Sequence, residues 1–175
     1  MNRINKTFEW CLKQGSKGDK HKGLKKTKPD LEESEKQIRK AESDLSTMNY
    51  LYEGDKTDWV ASAAFYAMYH SLLSILYKLG YESRNQECTI TLVEKFIADK
   101  TIDLEYKYVE MIRSLQKGIE DAKTVREEMQ YGSETSMEKE RCKKLMENAK
   151  EFVDRVKEIL EEMDEPKSAS SEKVK

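Results

Sequence analysis

Apolar side chains recur at every third or fourth position along most of this chain, the spacing that gathers them on one face of an α-helix. Glycine (seven) and proline (two) are scarce, and β-branched residues do not alternate with polar ones as they do in strands. The pattern predicts helices over residues 30–54, 58–79, 88–98, 103–131 and 137–163. Short connections favour antiparallel neighbours, so we predict an all-α fold, an up-and-down bundle of four or five helices.

The predicted helix boundaries coincide with residues that start or stop helices. Asp30, directly after Pro29, is suited to cap the first long helix, because its carboxylate can accept hydrogen bonds from the free N–H groups of the first turn. Gly54, Gly80 and Gly132 follow the apolar stripes and predict the ends of three helices.

The second long helix raises the question of a membrane. No residue from Trp59 to Tyr77 is charged, a length that reaches the minimum for spanning a bilayer. The segment nevertheless contains serines, tyrosines and a histidine, and Asp58 and Lys78 bound it closely in an otherwise very polar chain. We therefore predict a buried central helix surrounded by the others, and no membrane association.

Charge is distributed unevenly along the chain. Residues 1–28 carry nine basic side chains and two acidic ones, a net charge of +7, which leaves −9 for the rest of a chain whose total is −2. Such an arm can contact phosphate, or it can be a solvated lead-in segment. We predict a basic, mostly irregular arm at 1–29, a bundle at 30–163 and a disordered tail at 164–175.

Cysteine and histidine usage limits the possible chemistry. The three cysteines, Cys11, Cys88 and Cys142, are odd in number and widely spaced, which argues against a disulfide framework and for a reducing, cytoplasmic location. No apolar segment of the secretory type is present near residue 1. With His21 and His70 as the only histidines, we predict no metal site and no cofactor.

The second long helix carries aromatic residues and a histidine that are open to two interpretations. The aromatic residues are Phe65, Tyr66, Tyr69 and Tyr77. They can stack on a nucleobase, although core packing accounts for them more simply. His70, in the same apolar run, is either a hydrogen-bonded core residue or a catalytic group.

The end of the fourth predicted helix holds Arg126 and Tyr131, followed by Gly132. Five residues of a regular helix separate two side chains by about 140°, so a distorted helix end or a two-fold dimer is needed for them to act together. A surface arginine with a tyrosine that closes the bundle is the alternative. Glu127 and Glu128 favour that alternative, because local negative charge opposes phosphate binding.

Four sequence blocks stand in a characteristic order and spacing between residues 30 and 163. They are Ile38–Leu45; Asp58–Trp59 with Ala64–His70 and Leu79–Tyr81; Glu87–Ile90 with Phe96; and Ala122–Arg126 with Tyr131–Gly132 and Ala149–Phe152. In this order they resemble the HEPN family (higher eukaryotes and prokaryotes nucleotide-binding), specifically its short, stand-alone prokaryotic branch.

The resemblance implies a helical bundle that commonly forms homodimers. Many members are metal-independent ribonucleases, often toxins neutralised by a small nucleotidyltransferase partner. In such members an arginine holds the scissile phosphate, and a histidine four to six residues later assists attack by the ribose 2′-hydroxyl. Here Arg126 matches the arginine, but Tyr131 stands at the histidine position, and a phenol with a pKa near ~10 is a poor base at neutral pH.

Two functions follow as hypotheses from the resemblance. The first is an RNA-directed, ribonuclease toxin-type protein with an incomplete active site, paired with a small nucleotidyltransferase antitoxin, with Arg126, Tyr131 and His70 as site residues. The second is a non-catalytic bundle that binds a nucleotide or a partner protein. A purely structural interaction module is a third, simpler reading.

Overall fold

The structure is a computed structural model that describes residues 2–128 and 139–164, and all their side chains apart from those of residues 121–128. Six helices and two short strands lie in these ranges. In chain order they are α1 (Arg3–Gly15), β1 (Leu24–Lys26), α2 (Leu31–Glu53), α3 (Thr57–Lys78), β2 (Tyr81–Ser83), α4 (Gln86–Ala98), α5 (Tyr106–Glu128) and α6 (Lys139–Asp164). The all-α prediction is confirmed, and the two strands form only one small antiparallel pair.

The long helices form an up-and-down bundle in the order α2, α3, α5, α6. At one end of the bundle, Lys139 pairs with Asp55 in the turn before α3 at 2.8 Å. At the other end, Lys78 donates to the Leu160 carbonyl and pairs with Asp164. The starts of α3 and α6 therefore lie together, and so do their ends, which means that the two helices are parallel. Alternate helices of an up-and-down bundle are expected to be parallel.

Helix α3 is the centre of the core, as its composition predicts. Thirteen of its 22 residues are buried, and the largest apolar ones include Met68, Leu72, Ile75 and Leu76. The helix is long and apolar enough to cross a membrane, but its most apolar window is 67% buried inside the protein. Burial against the neighbouring helices accounts for its composition, and the prediction of a central core helix is confirmed.

The residues at the helix boundaries act as the sequence predicts. The Asp30 carboxylate accepts a hydrogen bond from the backbone N–H of Glu33 at the start of α2, and Gly54 caps its end. Gly80 follows α3 with a φ of +79°, a conformation that side chains disfavour. A Cβ at Gly80 would lie only 2.8 Å from the Thr27 carbonyl oxygen, so glycine is required there.

The prediction of a mostly irregular arm at residues 1–29 is wrong. Helix α1 and strand β1 occupy most of it, and β1 pairs with β2 through the register Leu24–Ser83. The arm folds because α1 is amphipathic and packs on α4, an apolar signal that the surrounding lysines obscure in the sequence. At Gly15, α1 approaches β1 so closely that a Cβ would lie 1.6 Å from the Leu24 carbonyl oxygen.

The prediction that the cysteines form no disulfide is also wrong. Cys11 of α1 and Cys88 of α4 are disulfide-bonded and fully buried, and only Cys142 is a free cysteine in the described part of the chain. A separation of 77 residues left no local spacing motif from which this pair could be recognised. Packing of α1 against α4 brings the two sulfur atoms together.

Other predictions fall outside the described residues. They are the helix end at Gly132, the start of the last helix before Lys139 and the disordered tail after Asp164. A single chain also does not test the predicted homodimer.

We expect Cys11→Ser to lower the free energy of unfolding by about 2–4 kcal/mol, because the disulfide restricts a long loop in the unfolded chain. Urea unfolding with and without a thiol reductant measures the loss. The reductant should bring the native protein close to the level of the variant and leave the variant unchanged. Cys142→Ala, at the buried free thiol, serves as the control for a cysteine substitution in the core. Equal stability of the native protein in both buffers would contradict a bonded pair.

Candidate functional site

Arg126 lies in the last turn of α5, which ends at Glu128. The side chains of Arg126, Glu127 and Glu128 and the whole of Tyr131 lie outside the described part of the structure. The position of Arg126 along the bundle is nevertheless given by the backbone of its helix.

His70 lies at a different level of the bundle from Arg126. Helix α6 is parallel to α3, and Asp55 is level with Lys139, so His70 is level with residues near 153 of α6. Tyr108 of α5 reaches the same level, because its ring contacts Phe152 edge-on at 5.5 Å and its hydroxyl donates to Glu151 at 2.9 Å. His70 and the start of α5 are therefore at similar heights.

The distance from that level to Arg126 follows from helix geometry. Eighteen residues separate Tyr108 from Arg126, which corresponds to about 27 Å along the axis of α5. Within one chain, the described helices therefore do not bring His70 and Arg126 together. His21, the other histidine, is buried in the loop between α1 and β1, and its Nε2 lies 3.6 Å from Glu82, just beyond the end of α3 that is opposite Arg126. Neither imidazole stands beside Arg126 in a single chain.

His70 forms a carboxylate–histidine pair with Asp44 across α2 and α3. The two side chains are 2.6 Å apart between His70 Nδ1 and Asp44 Oδ2. An ionised carboxylate only accepts hydrogen bonds, so Nδ1–H donates and the second ring nitrogen, Nε2, becomes an acceptor in the neutral ring. The His70 side chain is 20% exposed and that of Asp44 is 26% exposed, so the pair lies at an accessible surface.

The aromatic residues of α3 divide between the core and the surface. Phe65 and Tyr69 are buried and stack on each other at 5.9 Å, as core packing predicts. Tyr66 is 46% exposed, and its ring stacks beside the His70 ring at a centroid distance of 5.8 Å. Trp59, two turns earlier on the same face, is 59% exposed.

A cluster of charged side chains joins α4 and α5, and no sequence motif predicted it. Glu94 of α4 is buried, with only 1% of its side chain exposed. Arg113 of α5 donates two hydrogen bonds to Glu94 and two to Glu87. The Tyr106 hydroxyl donates to Glu94 at 2.9 Å, and Arg3 of α1 approaches it at 3.6 Å.

The pKa values of this cluster follow its pairing. Burial alone would lower the pKa of Arg113, but its hydrogen bonds to Glu87 and Glu94 outweigh that effect and raise it. The pKa of Tyr106 is raised, chiefly because its hydroxyl donates to the Glu94 carboxylate. The charges of the cluster satisfy one another, so it acts as a structural connection among α1, α4 and α5. The signal in the sequence was the Glu94 carboxylate, which directly follows the apolar residues Leu92 and Val93 of α4.

The described side chains include no group of three or more histidine, cysteine, aspartate or glutamate residues placed to hold a metal ion. The carboxylates described above are instead engaged with arginine, tyrosine and histidine. The local chemistry therefore consists of an oriented imidazole, exposed aromatic rings and the arginine at the end of α5.

Comparison with protein-family models identifies the family of this chain. The family model of the HEPN domain matches residues 34–159, more than two thirds of the chain, from the first turn of α2 to near the end of α6. The chain belongs to the HEPN family, and this membership suggests a nucleotide-binding or ribonuclease-like function. Comparison with curated proteins gave no match.

We expect Glu94→Ala to lower the free energy of unfolding by about 3–5 kcal/mol, because it leaves Arg113 partly buried with one carboxylate fewer and removes the acceptor of Tyr106. Chemical denaturation measures the change. Glu35→Ala is the matched control, since the one pair that Glu35 forms among the described residues is an exposed pair with Arg39, and the substitution should change stability by less than about 1 kcal/mol. Equal effects of the two substitutions would show that the buried cluster does not stabilise the fold.

Proposed function

We propose that this chain is an RNA-directed HEPN protein in which Arg126 binds a phosphate group of the RNA. The match of the HEPN model across α5 supports this proposal most directly, because it includes the helix end that carries Arg126. A guanidinium can bind a phosphate through two parallel hydrogen bonds, which suits a side chain that must hold one position on an RNA backbone.

Cleavage by the family's arginine–histidine chemistry is expected to be weak or absent. Tyr131 stands where the histidine is expected, and a phenol is largely protonated at neutral pH. His70 lies about 27 Å away along the bundle axis, so it cannot replace the missing base within one chain. We therefore expect the protein to bind RNA with little or no cleavage.

The proposal includes two partners that follow from the family. A homodimer would place two copies of Arg126 around one RNA-binding groove. A small nucleotidyltransferase would control the protein as an antitoxin controls its toxin, with Tyr131 as the residue open to modification.

A second candidate is a non-catalytic bundle that binds a free nucleotide or a protein. The placement of both histidines away from Arg126 favours it, since a ribonuclease needs a group that accepts the 2′-hydroxyl proton. RNA binding separates this candidate from the first.

The decisive experiment measures RNA binding and metal-free RNA cleavage by the purified protein beside Arg126→Ala. We expect the native protein to bind RNA and the variant to lose at least tenfold in affinity, because charge-assisted contacts to phosphate contribute about 1.5–3 kcal/mol. Arg39→Ala is the matched control, since Arg39 is an exposed arginine on α2.

His70→Gln gives a further comparison in the same cleavage assay. At saturating RNA, any cleavage that the native protein shows should survive this substitution and disappear in Arg126→Ala. Loss of cleavage by His70→Gln at saturating RNA would mean that a dimer brings His70 of one copy to Arg126 of the other. An RNA affinity that is equal for the native protein and Arg126→Ala would reject the proposed role of Arg126 and favour the second candidate.

A further inference from the structure

We propose that Tyr66, His70 and Asp44 form a binding site for an unpaired nucleobase of single-stranded RNA. The base would stack on the Tyr66 ring and donate a hydrogen bond to Nε2 of His70. This inference rests on the proposed RNA-directed function, but it concerns a surface about 27 Å along the bundle from Arg126.

The first support is an exposed aromatic face on a helix that is mostly buried. Helix α2 covers one side of α3 and α6 covers another, yet Tyr66 and Trp59 remain 46% and 59% exposed. They are seven residues apart, so they lie on one face with about 10 Å between them. Aromatic rings on such a face offer a stacking surface to any base, whatever its identity.

The second support is the orientation of His70 by Asp44. The hydrogen bond from Nδ1–H to the carboxylate holds the ring in one tautomer and leaves the lone pair of Nε2 as an acceptor. None of the described groups forms a hydrogen bond with Nε2. The ring is partly exposed beside Tyr66, so a ligand can reach this nitrogen.

The chemistry of these residues favours a base over a phosphate. The Asp44 carboxylate stands directly behind the imidazole, and its negative charge opposes an anion at this position. A nucleobase instead presents an uncharged π-face and N–H groups on its edges, which match an exposed tyrosine ring and a neutral nitrogen acceptor. In a duplex those faces and edges are occupied, so the site selects unpaired bases.

The exposed aromatic face extends from His70 toward the end of the bundle that carries Arg126. Trp59 lies nearer the start of α3, and the contact between Asp55 and Lys139 marks that same end of the bundle. Glu105 pairs with Arg155 and Tyr108 with Glu151, so α5 is antiparallel to α6, runs toward this end and carries Arg126 in its last turn. A single strand that passes from His70 over Tyr66 and Trp59 therefore travels toward the level of Arg126.

The test measures binding of fluorescently labelled oligoadenylate to the full chain, with the same strand in a duplex and inorganic phosphate as comparison probes. We expect Tyr66→Ala to weaken single-strand binding about 5- to 150-fold, the range for loss of one stacked base. Tyr66→Phe should bind like the native protein, because it keeps the ring. His70→Gln, which removes the ring acceptor, should weaken binding about two- to tenfold.

Tyr50→Ala is the matched control, since Tyr50 is a more exposed tyrosine on α2 that is not part of this face. Unfolding curves establish that every variant is folded. Asp44 is a positioning residue in this site, and ¹⁵N chemical shifts of the His70 ring provide its separate readout. The native ring should carry its proton on Nδ1, and Asp44→Asn should change that preference.

The outcomes separate this inference from the proposed function. Weaker binding in both Tyr66→Ala and Arg126→Ala supports both. Native-like binding by Tyr66→Ala, with a loss in Arg126→Ala, overturns the base site and leaves the proposed function intact. A loss in Tyr66→Ala alone supports the base site and rejects the role of Arg126. Equal binding of duplex and single strand, competition by inorganic phosphate that persists in Arg126→Ala, or no RNA binding by the native protein overturns the base site.

Discussion

The fold depends on the need to remove α3 from water. This helix is apolar on most of its circumference, and no single neighbour can cover it. Helices α2 and α6 pack along its length, α5 and α4 close another side, and the short strand pair covers the turn that follows it. Hydrophobic burial, which is roughly proportional to the apolar area covered, therefore determines the order of the bundle.

The same constraint explains why the uncovered part of α3 is informative. Tyr66 and Trp59 remain accessible on a helix whose valine, leucine, isoleucine and methionine side chains are buried, and the Asp44–His70 pair lies at the edge of that face. By contrast, Arg113, Glu87 and Glu94 neutralise one another and hold α4 to α5. The two polar clusters therefore differ in what they can bind. The charges around Arg113 pair with one another, whereas the Asp44–His70 pair leaves Nε2 of His70 without a hydrogen bond to the described groups.

Family membership and geometry lead to different expectations about catalysis. The HEPN assignment points to nucleotides or RNA as ligands, and Arg126 occupies the helix end where the family resemblance places its arginine. The missing histidine after Arg126 is visible in the sequence. The distance of His70 from that position is a property of the bundle, and it makes binding a better-supported activity than cleavage.

Periodicity and composition determined the helical class, the central position of α3 and the caps at Asp30, Gly54 and Gly80, because these depend on local spacing and local backbone conformation. The folding of α1, the Cys11–Cys88 bond and the cation–carboxylate cluster at Glu94 were decided by tertiary structure alone. The site residues divide in the same way. Arg126 and Tyr131 were identified from the order of the sequence blocks that resemble the HEPN family. Asp44 was identified as the partner of His70 only from the packing of α2 on α3. Residues 26 positions apart, such as Asp44 and His70, meet only when two helices pack, and no local pattern records that contact.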